Sequence, residues 1–391
     1  MNMNDNEGSC LVPTLSPEQR VLIALSTIRN QPTSEYFQEL LGRHLDWPWI
    51  IMQAMQHRTI CIVWETLKTR DLMKAAAKSG LGKNWITYGE QISRASHKKN
   101  QLWLEILDVT LSRIRSAGID IACIKGSALI GDIYSPSSRM LGDVDTLIAN
   151  NARTEVAEIL FKAGFKHGTI NPVTGTVEPM SKKNLRFWTL NSHIMPKFTL
   201  ETGDPDIPFF RLAVGFNFFD PGDKFSMPSE DILPRCIQSP RSREVYTPNK
   251  SDTVLNLCAH IYREATSASF GFISDNWHLW KFCDLREYIL EHGSDELLEE
   301  VAARAIDMKM ERPVQFSLYY TYQVYGGGAL KKWHDAFYIA PEDELLTEIK
   351  DGKTTVSYKR PFSERLFETR QTIVSNMVPV WSKVMPDGEW W

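Results

Sequence analysis

Two aspartates at positions i and i+2, Asp143 and Asp145, are the residues of this sequence best suited to carry chemistry. They belong to a segment, 143–148, whose alternation of polar and apolar residues predicts a β-strand. Strand side chains alternate between faces, so both carboxylates should leave one face while Val144 points into the core. Like charges held this close repel, and a divalent cation between them relieves the repulsion. Such an oxygen-only site favours Mg²⁺ or Mn²⁺.

The segment Lys125-Gly126-Ser127 suits a second task, the binding of phosphate. It follows an apolar, β-branched run over 119–124, which predicts a buried strand, and it precedes a short helix. Backbone N–H groups at such a turn are available to phosphate, and a glycine lets the phosphate come close. The Ser127 hydroxyl can donate a hydrogen bond as well. Lys125 and Arg139 could supply positive charge for the same phosphates.

The elements that must position these residues form a three-part pattern. The chain is helical at first, then alternates strands and helices, and is helical again towards its end. This order predicts an α+β (mixed α/β) fold, in which a small mixed β-sheet is flanked by N- and C-terminal helical regions. The predicted parts are a disordered lead over 1–13, helices over 14–117, an α/β core over 118–247 and helices over 248–391.

Individual elements follow from the spacing of apolar residues. Ser16 before Pro17, with Gln19 three residues after the cap, predicts a helix start. Apolar residues in steps of three and four predict helices, and short apolar or alternating runs predict strands. The predicted helices include 47–67, 100–115, 153–163, 252–265 and 277–290, and the predicted strands are 119–124, 143–148, 193–200 and 211–219.

Composition argues against several classes of function. Charged residues make up 24% of the 391 residues and the net charge is -4, which argues against bulk binding to nucleic acid. No stretch approaches the roughly 20 apolar residues of a membrane span, and no signal peptide is predicted. The six cysteines form no Cys-x-x-Cys pair, so neither a zinc site nor a disulfide framework is expected. These features predict a cytoplasmic protein.

At the two segments described above, the sequence resembles the uncharacterised bacterial nucleotidyltransferases of the DNA polymerase β superfamily. Their signature is a Leu-Lys-Gly-like segment, followed by a Tyr, an Arg and Asp-hydrophobic-Asp. The matching residues here are Ile124-Lys125-Gly126-Ser127-Ala128-Leu129, Tyr134, Arg139 and Asp143-Val144-Asp145. The resemblance extends in order over roughly residues 16 to 290.

The resemblance implies a metal-dependent nucleotidyltransferase. Such an enzyme would bind a nucleoside triphosphate (NTP) with Mg²⁺ or Mn²⁺ at Gly126, Ser127, Asp143 and Asp145. It would move a nucleoside monophosphate to a hydroxyl on a small molecule, a peptide or RNA, and pyrophosphate would leave. Two alternatives stay open. One is a catalytically incomplete relative that serves as a nucleotide-binding or regulatory module. The other is a toxin-like enzyme acting on tRNA, and the acidic composition of the chain argues against this alternative.

One position departs from the family pattern. The family usually has a third carboxylate on a later strand, followed two residues on by His, whereas this sequence has Gly215 and Asn217. Two acids could substitute. Glu201 could fold in from a hairpin turn, and Asp220 is close in sequence but would point to the other face of a regular strand. The alternative is that the site is incomplete.

Two histidines have both structural and functional interpretations. His260 falls on a helix rich in Leu and Cys, which is typical of a core or helix-end histidine with satisfied hydrogen bonds. His193 falls near the open edge of the predicted sheet, where contact with a substrate or phosphate is the alternative to a structural role.

Overall fold

The structure is a computed structural model that describes residues 15–171, 174–268, 270, 276–351 and 354–368. A mixed β-sheet is preceded and followed in sequence by helices, which confirms the predicted mixed α/β fold class. The predicted disordered lead over 1–13 lies outside the described residues. Among the described helices, none is both long enough and apolar enough to cross a membrane.

Six helices precede the sheet: α1 (Pro17–Leu25), α2 (Ser34–Leu41), α3 (Trp47–Gln56), α4 (Ile60–Thr69), α5 (Met73–Lys78) and α6 (Lys83–Ser116). Helix α1 starts as predicted, with Ser16 and Gln19 each accepting a hydrogen bond from the backbone N–H of the other. The single helix predicted over 47–67 is wrong, because the chain turns between α3 and α4. Arg58 has a positive φ of 54° there, which a continuous helix does not allow.

Helix α6 packs its C-terminal half against the sheet. Trp103 donates from its indole N–H to the carbonyl of Phe209, at 3.0 Å. The predicted helix over 100–115 is only the second half of α6, which begins at Lys83. The first half escaped prediction because it lacks a continuous apolar stripe. It is held instead by close packing against α4, where Gly89 lies against Trp64.

The contact between Gly89 and Trp64 predicts a large effect on stability. A Cβ atom at position 89 would overlap the indole of Trp64, which is completely buried. Gly89→Ala is therefore expected to lower the free energy of unfolding by about 1–3 kcal/mol through overpacking. This loss should exceed the gain of about 1 kcal/mol that alanine offers over glycine in a helix interior. Urea denaturation measures this change. Gly82→Ala is the control, since a Cβ there meets only Trp85 at 4.0 Å. An equal effect of the two variants would contradict the packing argument.

The middle of the chain forms a six-stranded sheet with the strand order β1-β2-β6-β5-β3-β4. Its strands are β1 (Ile121–Ile124), β2 (Val144–Ile148), β3 (Lys166–Ile170), β4 (Val177–Pro179), β5 (Phe198–Glu201) and β6 (Phe209–Gly215). Strand β2 is antiparallel to β1 and parallel to β6, and β6 is antiparallel to β5. Three helices connect these strands: α7 (Gly126–Leu129), α8 (Arg153–Lys162) and α9 (Lys182–Asn191).

The predicted strands over 193–200 and 211–219 correspond to β5 and β6 with different limits. Strand β6 ends at Gly215, and the chain then turns, with the Asn217 side chain accepting from the backbone N–H groups of Phe218, Phe219 and Met227. Strands β3 and β4 were not predicted from the sequence. Strand β4 has only three residues at the edge of the sheet, and β3, whose sequence is Lys-His-Gly-Thr-Ile, contains no run of apolar residues.

Helices dominate again after a small hairpin of β7 (Ile237–Gln238) and β8 (Tyr246–Thr247). They are α10 (Lys250–Ala265), α11 (Leu279–His292), α12 (Asp295–Asp307), α13 (Glu311–Tyr325) and α14 (Gly328–Ala336), followed by the hairpin β9 (Glu348–Asp351) and β10 (Thr354–Ser357) and by α15 (Phe362–Phe367). Helix α10 is buried over almost its whole length, because it packs against α11, α12 and α13. Its last turns reach the face of the sheet that carries Asp143 and Asp145.

Candidate functional site

Asp143 and Asp145 lie side by side at the start of β2. Val144 between them is completely buried, whereas the two carboxylate side chains are 28% and 17% exposed. Both line one cavity, as the alternation of strand side chains requires. Strand β2 has β1 on one side and β6 on the other, so the aspartates have a strand on each side.

Each aspartate forms an ion pair with a lysine. The ammonium of Lys197 donates to Asp143 at 2.7 Å, and that of Lys125 donates to Asp145 at 2.8 Å. Burial raises the pKa of Asp143, but the neighbouring cations outweigh burial and hold it below its ordinary value. At Asp145 burial and the charge of Asp143 outweigh Lys125, so its pKa is raised.

The turn between β1 and α7 borders the same cavity. Lys125 adopts a positive φ of 54°, which is uncommon for a residue with a side chain, and Gly126 follows as the first residue of α7. A Cβ at Gly126 would lie 2.9 Å from the Cδ2 atom of Leu141, so the backbone of the turn passes close to the Leu141 side chain. Gly126 and Lys125 both line the cavity.

Ser127 has a different place from the one predicted. Its side chain is buried and its hydroxyl lies within hydrogen-bond distance of the carbonyl oxygens of Ile124, at 2.9 Å, and Asp145, at 3.0 Å. Ser127 is not among the residues that line the cavity. The hydroxyl therefore ties the turn to β2, because its single hydrogen is directed at the protein rather than at a phosphate.

The cavity that contains these groups, called here the central cavity, has a volume of about 330 Å³, which is within the range of small-molecule sites. Helix α10 contributes one wall, and Trp188, Phe270 and Trp280 add aromatic surface. Its charged residues are the cations Arg58, Lys125, Arg139, Lys197, Arg211 and Arg263 and the acids Asp143, Asp145, Asp220 and Glu264. Six cations against four acids give an excess of positive charge in a protein whose net charge is -4.

Comparison with known families identifies the chain. The model of a family described as "Uncharacterised nucleotidyltransferase" matches residues 43–326, which is well over half of the sequence. The chain belongs to this nucleotidyltransferase family. Membership points to nucleotidyl transfer, with a nucleotide as one substrate. No curated protein and no solved structure matches the chain.

Arg139 lines the central cavity of this nucleotidyltransferase, but it is not an unpaired cation. It is buried, and its Nε and Nη2 atoms donate to the two carboxylate oxygens of Asp284, both at 3.0 Å. Its guanidinium also lies over the ring of Trp280, 4.2 Å from the centroid. The predicted role of Arg139 in supplying charge to phosphates is therefore weakened, because Asp284 on α11 compensates that charge.

The Arg139–Asp284 pair predicts a second effect on stability. The two side chains are 4% and 1% exposed, so Asp284→Ala leaves a buried guanidinium without its counterion. We expect a loss of about 3–5 kcal/mol in the free energy of unfolding, measured by urea denaturation. Asp307→Ala is the matched control. Its side chain is 69% exposed beside Arg304, and its removal should cost less than about 1 kcal/mol. A small effect at Asp284 would show that the pair contributes little to holding α11 against the core.

Strand β6 carries no carboxylate beside the aspartates. In the parallel register, Asp145 pairs with Ala213 and Leu147 pairs with Gly215, and one step back Arg211 is level with Asp143. A Cβ at Gly215 would lie 3.3 Å from the backbone oxygen of Thr146, so a larger residue has little room there. The third carboxylate that the resemblance implies is absent from this strand.

The two predicted substitutes for that carboxylate differ in position. Glu201 lies at the end of β5, is 55% exposed, and forms an ion pair with Lys166 outside the central cavity. It is four residues from Lys197, a distance of about 13 Å along a strand. Asp220 does line the cavity. The expectation that it points to the other face is wrong, because β6 ends at Gly215 and the chain turns before Asp220.

Asp220 is held by His193. The Nδ1 atom of the imidazole and the backbone N–H of His193 lie 2.6 Å and 3.0 Å from one carboxylate oxygen of Asp220, and Arg263 contacts the ring from α10. Burial and the charge of Arg263 lower the pKa of His193 to about 4, so its ring is neutral at pH 7. Burial raises the pKa of Asp220, but His193 and Arg263 outweigh it and lower that pKa to about 2. Asp220 thus lines the cavity as an ionised carboxylate that accepts hydrogen bonds from His193.

His260 also lines the central cavity, and its hydrogen bonds are those of a structural residue. Its Nε2 atom lies 2.9 Å from Glu264, which also contacts the ammonium of Lys281. Burial lowers the pKa of His260 to about 3. Within the described residues, no group of three or more His, Cys, Asp or Glu side chains is arranged to hold a metal ion.

Five charged residues of the cavity were not assigned to the site from the sequence: Arg58, Lys197, Arg211, Arg263 and Glu264. A signal for two of them exists, because Lys197 and Arg211 are single cations next to the apolar residues of β5 and β6. Strand alternation then places each of them opposite the buried side chains. Arg263 carries no comparable signal, since it follows a buried stretch of α10 and its neighbourhood depends on how that helix packs.

Proposed function

We propose that the chain is a metal-dependent nucleotidyltransferase of the DNA polymerase β superfamily, which moves a nucleoside monophosphate from an NTP to an acceptor oxygen. One observation carries the proposal. Asp143 and Asp145 share one face of β2, and the turn at Gly126 opens into the same cavity. The order of strand, turn, short helix and a second strand bearing the aspartates agrees with the resemblance described above. The hydroxyl acceptor is an implication of that resemblance.

The residues present fit a Mg²⁺ or Mn²⁺ ion that arrives with the nucleotide. Mg²⁺ usually keeps several waters and is bound by one or two carboxylates together with substrate phosphates. Asp143 and Asp145 supply two carboxylates, and no third protein acid is needed for that arrangement. When bound, the ion would neutralise charge on the phosphates and polarise the reacting phosphorus.

The protein's own groups position the phosphates. We place the phosphates at the turn because Lys125 and Gly126 line the cavity there, and backbone N–H groups at such turns bind anions. Lys125 and Lys197 neutralise Asp145 and Asp143, respectively. Once a cation takes over that task, both ammonium groups become available to the substrates, with Lys125 next to the triphosphate. Catalysis then rests on positioning and on charge stabilisation.

A second candidate is a nucleotide-binding module without transfer activity. The observation that favours it is the face of β6 beside the aspartates, which presents Arg211, Ala213 and Gly215 and no carboxylate. A hydroxyl acceptor would lack the acid that usually aligns and deprotonates it.

Transfer of label separates the two candidates. The full chain is incubated with Mg²⁺, each of four α-labelled NTPs and a heat-treated cell extract that contains small molecules, peptides and RNA, and covalent transfer and pyrophosphate release are measured. The enzyme predicts Mg²⁺-dependent transfer that Asp145→Asn abolishes. Binding of NTP without any transfer or pyrophosphate release would favour the binding module and contradict the enzyme.

We also propose a cytoplasmic location. The five cysteines among the described residues, which exclude Cys10, are all unpaired. Free and mostly buried thiols are typical of proteins from a reducing compartment. Fractionation of cells that produce the protein tests this, and recovery outside the cytoplasm would contradict it.

A further inference from the structure

Strand β6 places a cation, and not an acid, beside the aspartates. The register of β2 and β6 continues to place Arg211 level with Asp143, and Arg211 lines the central cavity. Neighbouring strands are about 4.8 Å apart, so the two side chains leave the sheet next to each other. No residue in the described part of the chain forms a hydrogen bond or an ion pair with the Arg211 guanidinium. Its five donors are therefore available to a ligand.

Arg211 lies on the opposite side of the aspartates from the phosphate-binding turn. Lys125 and Gly126 follow β1, which borders β2 on one side, whereas Arg211 belongs to β6, which borders β2 on the other. A triphosphate that uses the Gly126 turn and the aspartates leaves the β6 side for the second substrate. Lys197, which lines the cavity beside Asp143, adds a second positive charge on that side.

We infer that the second substrate presents an anionic oxygen, from a carboxylate or a phosphate, to Arg211 and Lys197. This inference rests on the proposed function and replaces the hydroxyl acceptor with an ionised one. An arginine fork binds both kinds of oxyanion through paired hydrogen bonds.

An ionised acceptor also explains why β6 can lack an acid. Carboxylates are deprotonated well below pH 7, and phosphate monoesters are largely so, and no general base is then required. The acceptor oxygen forms a bond to the α-phosphorus, and the bond from that phosphorus to the oxygen bridging to the β-phosphate breaks. The electron pair leaves with pyrophosphate, and no proton moves. A carboxylate gives a mixed carboxylic–phosphoric anhydride, and a phosphate gives a diphosphate.

Fluorine NMR of small probes tests the inference without knowledge of the natural acceptor. Trifluoroacetate and trifluoroethanol share a CF₃ group and differ in carrying a carboxylate or a hydroxyl, and monofluorophosphate is the phosphate probe. The full chain is saturated with Mg²⁺ and the α,β-methylene analogue of the NTP that binds best. Broadening of the ¹⁹F line then reports binding to the complex. We expect trifluoroacetate or monofluorophosphate to broaden and trifluoroethanol to stay sharp, and the oxyanion that broadens identifies the source.

Variants show whether Arg211 is responsible. Arg211→Met is expected to weaken oxyanion binding about tenfold, with NTP affinity changed far less. Arg211→Gln repeats the test with a polar side chain if the Met variant does not fold. Arg243→Met, at an exposed arginine on the turn between β7 and β8, is the matched control and should bind as wild type does.

Three results would overturn the inference while leaving the proposed function intact: equal broadening of trifluoroethanol, undiminished oxyanion binding in both Arg211 variants, or oxyanion binding only in the absence of nucleotide. Failure of the Mg²⁺–nucleotide complex itself to bind is a separate outcome. It would remove the proposed function, and the inference with it.

Discussion

Replacing both aspartates, as Asp143→Asn with Asp145→Asn, is expected to weaken Mg²⁺-dependent NTP binding by about 100-fold or more. The amides keep the shape of the site but remove both anionic metal ligands. They also leave Lys125 and Lys197 without their counterions. Titration calorimetry with the four NTPs, in the presence of Mg²⁺ and then of EDTA, measures the loss. Circular dichroism checks that the fold is retained.

Asp206→Asn is the matched control for the double variant. Asp206 is 75% exposed and pairs with Lys98 outside the central cavity. It carries the same chemical change at a site without a proposed role, so binding should be unchanged. Equal NTP affinity of wild type and the double variant would show that the aspartates of β2 do not hold the metal–nucleotide complex.

Gly126→Val is expected to weaken NTP binding by about 10-fold to 100-fold. Even a Cβ at this position would meet Leu141 at 2.9 Å, and a valine would fill the space through which a phosphate approaches the backbone. Its measurement is calorimetric titration with the NTP that binds wild type best. The expected loss of NTP affinity is steric, because the substitution leaves the charges of the site unchanged and only adds bulk next to the phosphates.

Ser127→Ala is the informative comparison for the valine variant. The Ser127 hydroxyl is directed at the carbonyls of Ile124 and Asp145, so its loss should lower the free energy of unfolding by about 1 kcal/mol. Because the hydroxyl does not face the cavity, NTP affinity should change much less than in Gly126→Val. Unchanged affinity in the valine variant, or a larger loss in the alanine variant, would contradict the placement of phosphate at this turn.

The part of the site that could be predicted from the sequence is local. Strand β1, the turn at Lys125 and Gly126, and strand β2 lie within about thirty residues, and the spacing of Asp143 and Asp145 fixes their common face by strand geometry alone. The antiparallel pairing of β1 with β2 then brings the turn next to the aspartates. No long-range contact has to be known for this step.

The part that could not be predicted depends on distant partners. Arg139 bonds to Asp284, 145 positions later in the chain, so its charge could not be known to be compensated. The parallel register that sets Arg211 beside Asp143 joins two strands, β2 and β6, that are separated by three other strands in sequence. A slip of one residue in that register would turn Arg211 into the core. Side-chain type alone does not fix such a register.

The sequence also misplaced Ser127 and Asp220 for physical reasons. A hydroxyl after a glycine suits a phosphate in many turns, but here the tight start of α7 directs it back to β2. Asp220 was placed by the alternation of a regular strand. That rule stops applying at Gly215, where β6 ends and the chain turns towards His193. Both misplacements concern points where a regular element ends.

A crystal of the full chain grown with Mn²⁺ and an α,β-methylene NTP analogue tests the central claim most directly, because the anomalous signal of manganese locates the ion. The account predicts a manganese peak about 2.1 Å from carboxylate oxygens of both Asp143 and Asp145, with the triphosphate on the backbone of Gly126. Lys125 should then contact a phosphate oxygen instead of Asp145, and Lys197 should no longer pair with Asp143. A nucleotide bound with its phosphates away from β2, or manganese held by other residues, would contradict the account.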